Sequence, residues 1–308
     1  MTVVQVNTRR PSIRSSLVNA VLGPGYRLFR RREVVDGTPA ARELKQAQWR
    51  PSKAQRGALR LVKWKNRSDV WTMQGAREDG PVVLYLHGGS YWHTPLTNHF
   101  LFLRQLVDHT GAQVIFPVYP RAPRYDYRAT HRMVLALWQQ MLETIPAKRV
   151  LFMGDSAGGG LALALAQALR DGELPTPGGL VLLAPWLDTA LRNPDIPRQE
   201  QLDPMLRRDR ILPMAAFYTR GDWDSPLVSP LFGGLRGLPP VWFFQGTRDI
   251  LYPDAMAFSQ KAAHEGCQLD LYVAPGMPHV YPLYPTPEGK AARKEIFRIV
   301  ADFDRASQ

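Results

Sequence analysis

From residue 82 onward the chain alternates short apolar runs with longer helical patterns, and this alternation restricts the fold more than any other feature of the sequence. The apolar runs cover 82–86, 113–118, 150–153, 179–184, 241–245 and 269–273, and helical periodicity marks 130–145, 161–170, 253–265 and 289–306. A strand followed by a helix returns to its sheet as a parallel neighbour, and strands covered on both faces read as nearly continuous Val, Leu and Phe. Two earlier runs, 58–64 and 69–74, lie too close together for a crossover helix and predict an antiparallel hairpin at one edge. The expected class is therefore α/β, an eight-stranded, mostly parallel sheet with helices on both faces. With 308 residues and 45% hydrophobic content, one such core is within reach.

One strand-to-helix junction reads Gly154-Asp155-Ser156-Ala157-Gly158-Gly159. A sharp turn of this kind leaves no room for side chains two positions either side of the serine, and glycines occupy both. The helix that follows directs its first N–H groups and positive dipole end toward the serine, where developing negative charge would be stabilised. The segment is not a dinucleotide fingerprint, because Ser156 stands where the second glycine of GxGxxG is required, and no Gly-Lys-Ser/Thr follows to make a phosphate loop. Upstream, the apolar run of 82–86 leads into His87-Gly88-Gly89-Ser90. An acyl-transfer enzyme needs backbone N–H donors aimed at the transition-state oxyanion, and Gly88, Gly89 and Ala157 are the expected donors.

The two segments in this order resemble the hormone-sensitive-lipase-like group of α/β-hydrolase esterases, in which His-Gly-Gly-Gly precedes Gly-Asp-Ser-Ala-Gly-Gly. Tyr119-Pro120-Arg121-Ala122-Pro123, Ala184-Pro185-Trp186-Leu187-Asp188, Ser229-Pro230-Leu231-Phe232 and Leu238-Pro239-Pro240 extend the resemblance over roughly 57–305. Ser90 departs from the pattern by replacing the third glycine, a change expected at the pocket wall. The resemblance implies an α/β-hydrolase fold with a helical cap. Its parts are 1–56 as an N-terminal cap part, 57–186 as the first catalytic part, 187–230 as the cap insertion and 231–308 as the second catalytic part. It also gives the chain order serine, carboxylate, histidine.

Seven histidines are present, and in that order only His279 follows a final strand-like run in a turn-rich loop. His87, His93, His99, His109 and His131 precede the serine, and His264 falls inside a helical pattern. His279 is thus the expected base. Asp249, just after the run of 241–245, is the expected orienting carboxylate; Asp254 and Asp188 are its rivals, the former explained by a helix start. By position, Ser90, Tyr91, Trp92, Asp155, Trp186, Leu187 and Tyr218 are expected to line a compact pocket suited to short acyl chains.

The expected activity is serine carboxylesterase chemistry through a covalent acyl-enzyme. Arylformamidase, amidase or lactonase activity with the same residues is the nearer alternative, and a non-catalytic ligand receptor on a hydrolase fold the more distant one. No cofactor and no metal are expected. Cys267 is the only cysteine, which excludes an intrachain disulfide and a cysteine-built metal site.

Charge is the feature that ester chemistry does not explain. Lys and Arg total 39 against 27 acidic residues, a formal +12, concentrated partly at Arg27, Arg30, Arg31, Arg32, Lys63, Lys65 and Arg67. No nucleic-acid module accompanies them, so a solvated basic face is expected and no nucleic-acid partner. The minority reading is weak peripheral contact with an anionic membrane, through an amphipathic 12–29 whose stripe is Leu17, Val18, Val21, Leu22 and Leu28. No run approaches the roughly 20 apolar residues of a membrane span, and no secretory signal is evident, so the expectation is a cytoplasmic monomer or homodimer acting on a small-molecule ester.

Overall fold

The computed structural model describes residues 2–6, 11–16, 61–66, 69–77 and 79–306. The stripe from Leu17 to Leu28, the cluster Arg27, Arg30, Arg31 and Arg32, Arg67, and most of 1–56 lie outside the described residues.

Among the described residues the sheet has nine strands, in the order β1-β9-β8-β7-β6-β4-β5-β3-β2. They are β1 (Thr2–Val6), β2 (Leu61–Lys63), β3 (Val70–Met73), β4 (Val82–Leu86), β5 (Gln113–Pro117), β6 (Val150–Asp155), β7 (Gly179–Leu183), β8 (Val241–Gly246) and β9 (Leu269–Ala274). β2 and β3 pair antiparallel, as does β3 with β5, while every other neighbouring pair is parallel.

β1 is the strand that the sequence reading did not place. Residues 2–6 fall in the segment expected to belong to a cap, yet they pair in register with β9, Thr2 opposite Leu269 through Val6 opposite Val273. The physical reason is that β9 would otherwise present a row of unpaired backbone groups, and Thr-Val-Val-Gln-Val is a β-branched run able to cover them.

The helices that position the site are α1 (Thr97–Thr110), α2 (Tyr127–Leu142), α3 (Ala157–Asp171), α4 (Ile196–Leu202), α5 (Arg208–Thr219), α6 (Tyr252–Glu265) and α7 (Pro287–Ala306). Successive strand residues point to opposite faces, and this divides the core in two. Leu84, Phe152, Leu182, Phe243 and Leu271 pack with Leu137 and Trp138 of α2, Leu161 and Leu165 of α3 and Phe258 of α6. Val83, Tyr85, Leu151, Met153, Val181 and Phe244 pack on the other face with Phe100 and Leu103 of α1 and Ile296 and Val300 of α7. Each such buried side chain contributes about 2 kcal/mol of transfer free energy, which makes the strand ends a firm base for chemistry. No helix among the described residues is long and apolar enough to cross a membrane.

Candidate active site

Four strands deliver the expected residues to one edge. Gly88 and Gly89 follow β4, Ser156 follows β6, Asp249 follows β8 and His279 follows β9, all at carboxyl ends of parallel strands. In open α/β sheets this is the edge along which ligands bind.

Ser156 has φ 53° and ψ −123°, a conformation that costs of order 1–3 kcal/mol and that its surroundings must enforce. Its N–H donates to the Leu183 carbonyl of β7 at 2.9 Å, and its own carbonyl accepts from Gly160 N–H at 3.0 Å and Trp186 N–H at 2.8 Å. The flanking glycines are dictated by contact. A Cβ on Gly154 would sit 2.4 Å from the Gly158 carbonyl oxygen, and one on Gly158 would sit 2.0 Å from that of Leu86.

Asp249 and His279 meet because β8 and β9 are neighbours whose following loops are stitched together. Thr247 N–H donates to Ala274 O at 3.1 Å and Arg248 N–H to Met277 O at 2.9 Å. Asp249 Oδ2 lies 2.8 Å from His279 Nδ1 and also accepts from Gln245 Nε2 at 2.9 Å, while Oδ1 accepts the Leu251 N–H at 2.9 Å. Both residues are buried. Burial pulls the imidazole pKa of His279 down, but Asp249, helped by Asp203 and Asp155, raises it on balance above the ordinary value. Neither rival carboxylate pairs with His279 among the described residues. Asp188 accepts from Ala190 N–H, from Arg192 N–H and from the Arg192 guanidinium. Asp254 is buried in the first turn of α6, where burial and the Asp188 charge push it up to about 7.

The glycine loop requires a correction. Gly88 N–H donates to Asp155 Oδ1 at 2.8 Å, so this group braces the loop and is not a donor to the cavity; Gly89 and Ala157 remain of the expected set. Asp155 also accepts from Tyr85 Oη at 2.8 Å, and its Oδ2 lies 3.2 Å from His99 Nε2. Burial alone would raise the Asp155 carboxyl, but His99 and the hydrogen bonds from Tyr85 and Gly88 hold it below the usual carboxylate range. His87 backs the loop, its buried ring stacked on Tyr119 at 4.4 Å with Nδ1 2.7 Å from Gly88 O.

These residues share a cavity of about 360 Å³. Gly88, Gly89, Ser90, His93, Asp155, Ser156 and His279 form its polar side, and Leu96, Met205, Leu206, Val280, Leu283 and Tyr284 its apolar side. Of the expected pocket residues, Ser90 and Asp155 line it. Tyr91, Trp92, Trp186, Leu187 and Tyr218 do not. Tyr91 stacks on Tyr218 at 3.8 Å and stands beside Trp186 at 6.1 Å, Leu187 is buried in the same core, and Trp92 meets Phe217 edge-on at 5.6 Å. Ser90 and Tyr91 both take φ 55°, and the turn carries the aromatic ring away from the cavity into the packing under α5.

The sequence reading passed over Met205, Leu206, Leu283, Tyr284 and His99. The first four come from two segments far apart in sequence, and His99 precedes the serine, on the side of the chain where the expected order places no base. An apolar residue pair just past the helix-stopping Asp203-Pro204, inside the expected cap insertion, is the signal that would have found Met205 and Leu206.

Residues 83–283 match a family model described as the alpha/beta hydrolase fold. The chain belongs to the α/β-hydrolase fold family. An acetyl-hydrolase of Streptomyces hygroscopicus is 37% identical to this hydrolase over 221 residues, which cover 70% of this chain and 74% of that protein. An esterase of Acinetobacter venetianus is 29% identical over 228 residues, 72% of this chain and 75% of that protein. Among solved structures, an esterase of the bacterial hormone-sensitive lipase family superposes with TM-score 0.78 at 27% identity, covering 96% of this chain and 99% of that one. The resemblance drawn from the glycine and serine motifs therefore extends to the whole hydrolase fold.

Proposed function

We propose that this hydrolase is a serine carboxylesterase for short acyl esters. The observation that carries the reading is the Asp249–His279 pair at 2.8 Å opening on the cavity that Ser156 lines. Ser156 Oγ attacks the ester carbonyl and forms the acyl C–O bond while its proton passes to His279 Nε2, the nitrogen that Asp249 leaves uncommitted. Gly89 and Ala157 N–H groups hold the oxyanion. Collapse breaks the ester C–O bond, and the leaving alcohol takes the proton from His279. A water deprotonated by His279 then attacks the acyl-enzyme carbonyl; the acyl–Oγ bond breaks, His279 returns the proton to Ser156 Oγ, and the acid is released.

The short-acyl preference is supported by a cavity near the lower limit of small-molecule pockets and by the acetyl-hydrolase among the relatives. Residues 187–230 are read as a cap because they contribute Met205 and Leu206 to the apolar side.

The test is hydrolysis of p-nitrophenyl esters from acetyl to palmitoyl by the wild type beside Ser156→Ala. The expected result is a rate that peaks at short chains and falls by at least about 10⁴-fold in the variant. A rate independent of Ser156 overturns the nucleophile, and an optimum at long chains overturns the short-acyl preference.

A further inference from the structure

Behind the apolar side of the cavity lies a carboxylate that takes no place in the mechanism above. Asp203 directly follows α4, inside 187–230, and its side chain is buried. Oδ1 accepts the backbone N–H of Met205 at 2.6 Å and of Leu206 at 3.0 Å, the two residues of this segment that wall the cavity. Oδ2 accepts the N–H of Ile250 at 2.7 Å, across 47 residues of sequence. Ile250 is the neighbour of Asp249.

A turn-capping role needs only one of these oxygens, and Asn caps such turns as readily as Asp. The second oxygen joins two parts of the site. Ionisation here is also costly, because the group is buried beside another carboxylate. The charged groups around it are Asp249 and His279 from the β8 and β9 loops, Arg207 and Arg248. Arg207 Nη1 donates to the Asp203 carbonyl at 2.6 Å and to Glu200 O at 3.0 Å, and Arg248 Nε donates to Leu202 O at 3.0 Å. Both arginines thus hold main-chain oxygens.

We propose that Asp203 is a positioning residue of the esterase, fixing the apolar wall at Met205 and Leu206 to the loop that carries Asp249 and placing negative charge behind the Asp249–His279 pair. The inference rests on the esterase reading. Burial and the Asp249 charge push the Asp203 pKa up to about 6, and Asp203 is among the groups that raise His279.

Two variants of the full chain test it, Asp203→Asn and Asp203→Glu, each checked for folding by circular dichroism. kcat/KM is measured against pH with p-nitrophenyl acetate, butyrate and hexanoate. In Asp203→Asn the loss of charge lowers the His279 pKa, so the acid limb moves to lower pH by about half a unit. The amide also opposes one of the N–H groups, so the acetate-to-hexanoate ratio changes by about threefold or more, roughly 0.7 kcal/mol. Asp203→Glu keeps the charge but moves the anchors, so the ratio changes while the limb stays in place. If the Asn variant does not fold, the Glu variant carries the test, and an unchanged ratio there overturns the proposal. An unmoved limb in Asp203→Asn, or a uniform loss on all three esters, reduces Asp203 to a structural residue. Labelling of Ser156 by diisopropyl fluorophosphate, run on wild type and variants, separates this failure from that of the esterase reading: an unlabelled wild type rejects the latter.

Discussion

Two histidine–aspartate pairs flank Ser156, and they are built in opposite senses. His279 turns Nδ1 to Asp249 at 2.8 Å, which leaves Nε2 for the cavity. His99 turns Nε2 to Asp155 at 3.2 Å, and its Nδ1 accepts the Leu96 N–H at 2.8 Å. Nδ1 accepts from the backbone and Nε2 faces Asp155, so both ring nitrogens of His99 are committed. The same two residue types at the same cavity thus yield one pair able to move a proton and one that can only hold a loop. His99 braces Asp155, which braces Gly88. What distinguishes a base from a strut is which ring nitrogen the backbone claims.

The comparison is broken most decisively by removing each imidazole in turn. His279→Ala is expected to lower kcat for p-nitrophenyl acetate by about 10⁴-fold or more, whereas His99→Ala, acting only through Asp155 and the glycine loop, costs about tenfold to a hundredfold. Equal losses in the two variants would mean that His99 takes part in proton transfer.

The pH profile sharpens the same contrast at a smaller scale. The base must be neutral to act, and His279 is held above its ordinary value by its carboxylate partner. Activity therefore falls as pH drops through a His279 pKa above about 6.5, and the acid limb of kcat/KM should stay in place in His99→Ala. An acid limb well below that range would show that Asp249 does not stabilise the imidazolium.

The smallest effect concerns a carboxylate with no histidine at all. Asp254, pushed up to about 7 by burial and Asp188, binds its proton more tightly in the folded chain than in the unfolded one. Its contribution to stability therefore falls as pH rises through the interval between the ordinary carboxylate value and 7. Asp254→Asn removes that slope. Urea melts at pH 5 and pH 8 should show the variant gaining on the wild type by about 2 kcal/mol between the two. An equal difference at both pH values would mean that Asp254 titrates as an exposed carboxylate does.

What could be read from the sequence followed the strength of local signals. Strand ends carrying glycine, serine, Asp249 and His279 are marked by apolar runs and turn residues, and the sheet from β2 to β9 follows from the same runs. β1 escaped because a five-residue strand at a terminus has no flanking pattern, and only its partner β9 makes it a strand. The pocket aromatics were placed by nearness in sequence to the motifs. Tyr91 instead joins Tyr218 and Trp186 in the core, because the backbone at Ser90 and Tyr91 runs through positive φ.

By itself the sequence determined the alternating α/β order and the serine turn with its glycines, since each is written in residues close together along the chain, while the family resemblance supplied the expected order of serine, carboxylate and histidine. Only the tertiary structure decided that Gly88 serves Asp155, that His99 is a strut, that Asp203 ties the wall to the Asp249 loop, and that Met205, Leu206, Leu283 and Tyr284 form the apolar side. Those outcomes depend on hydrogen bonds and packing between residues tens of positions apart, and their geometry exists only once the sheet has brought its loops to one edge.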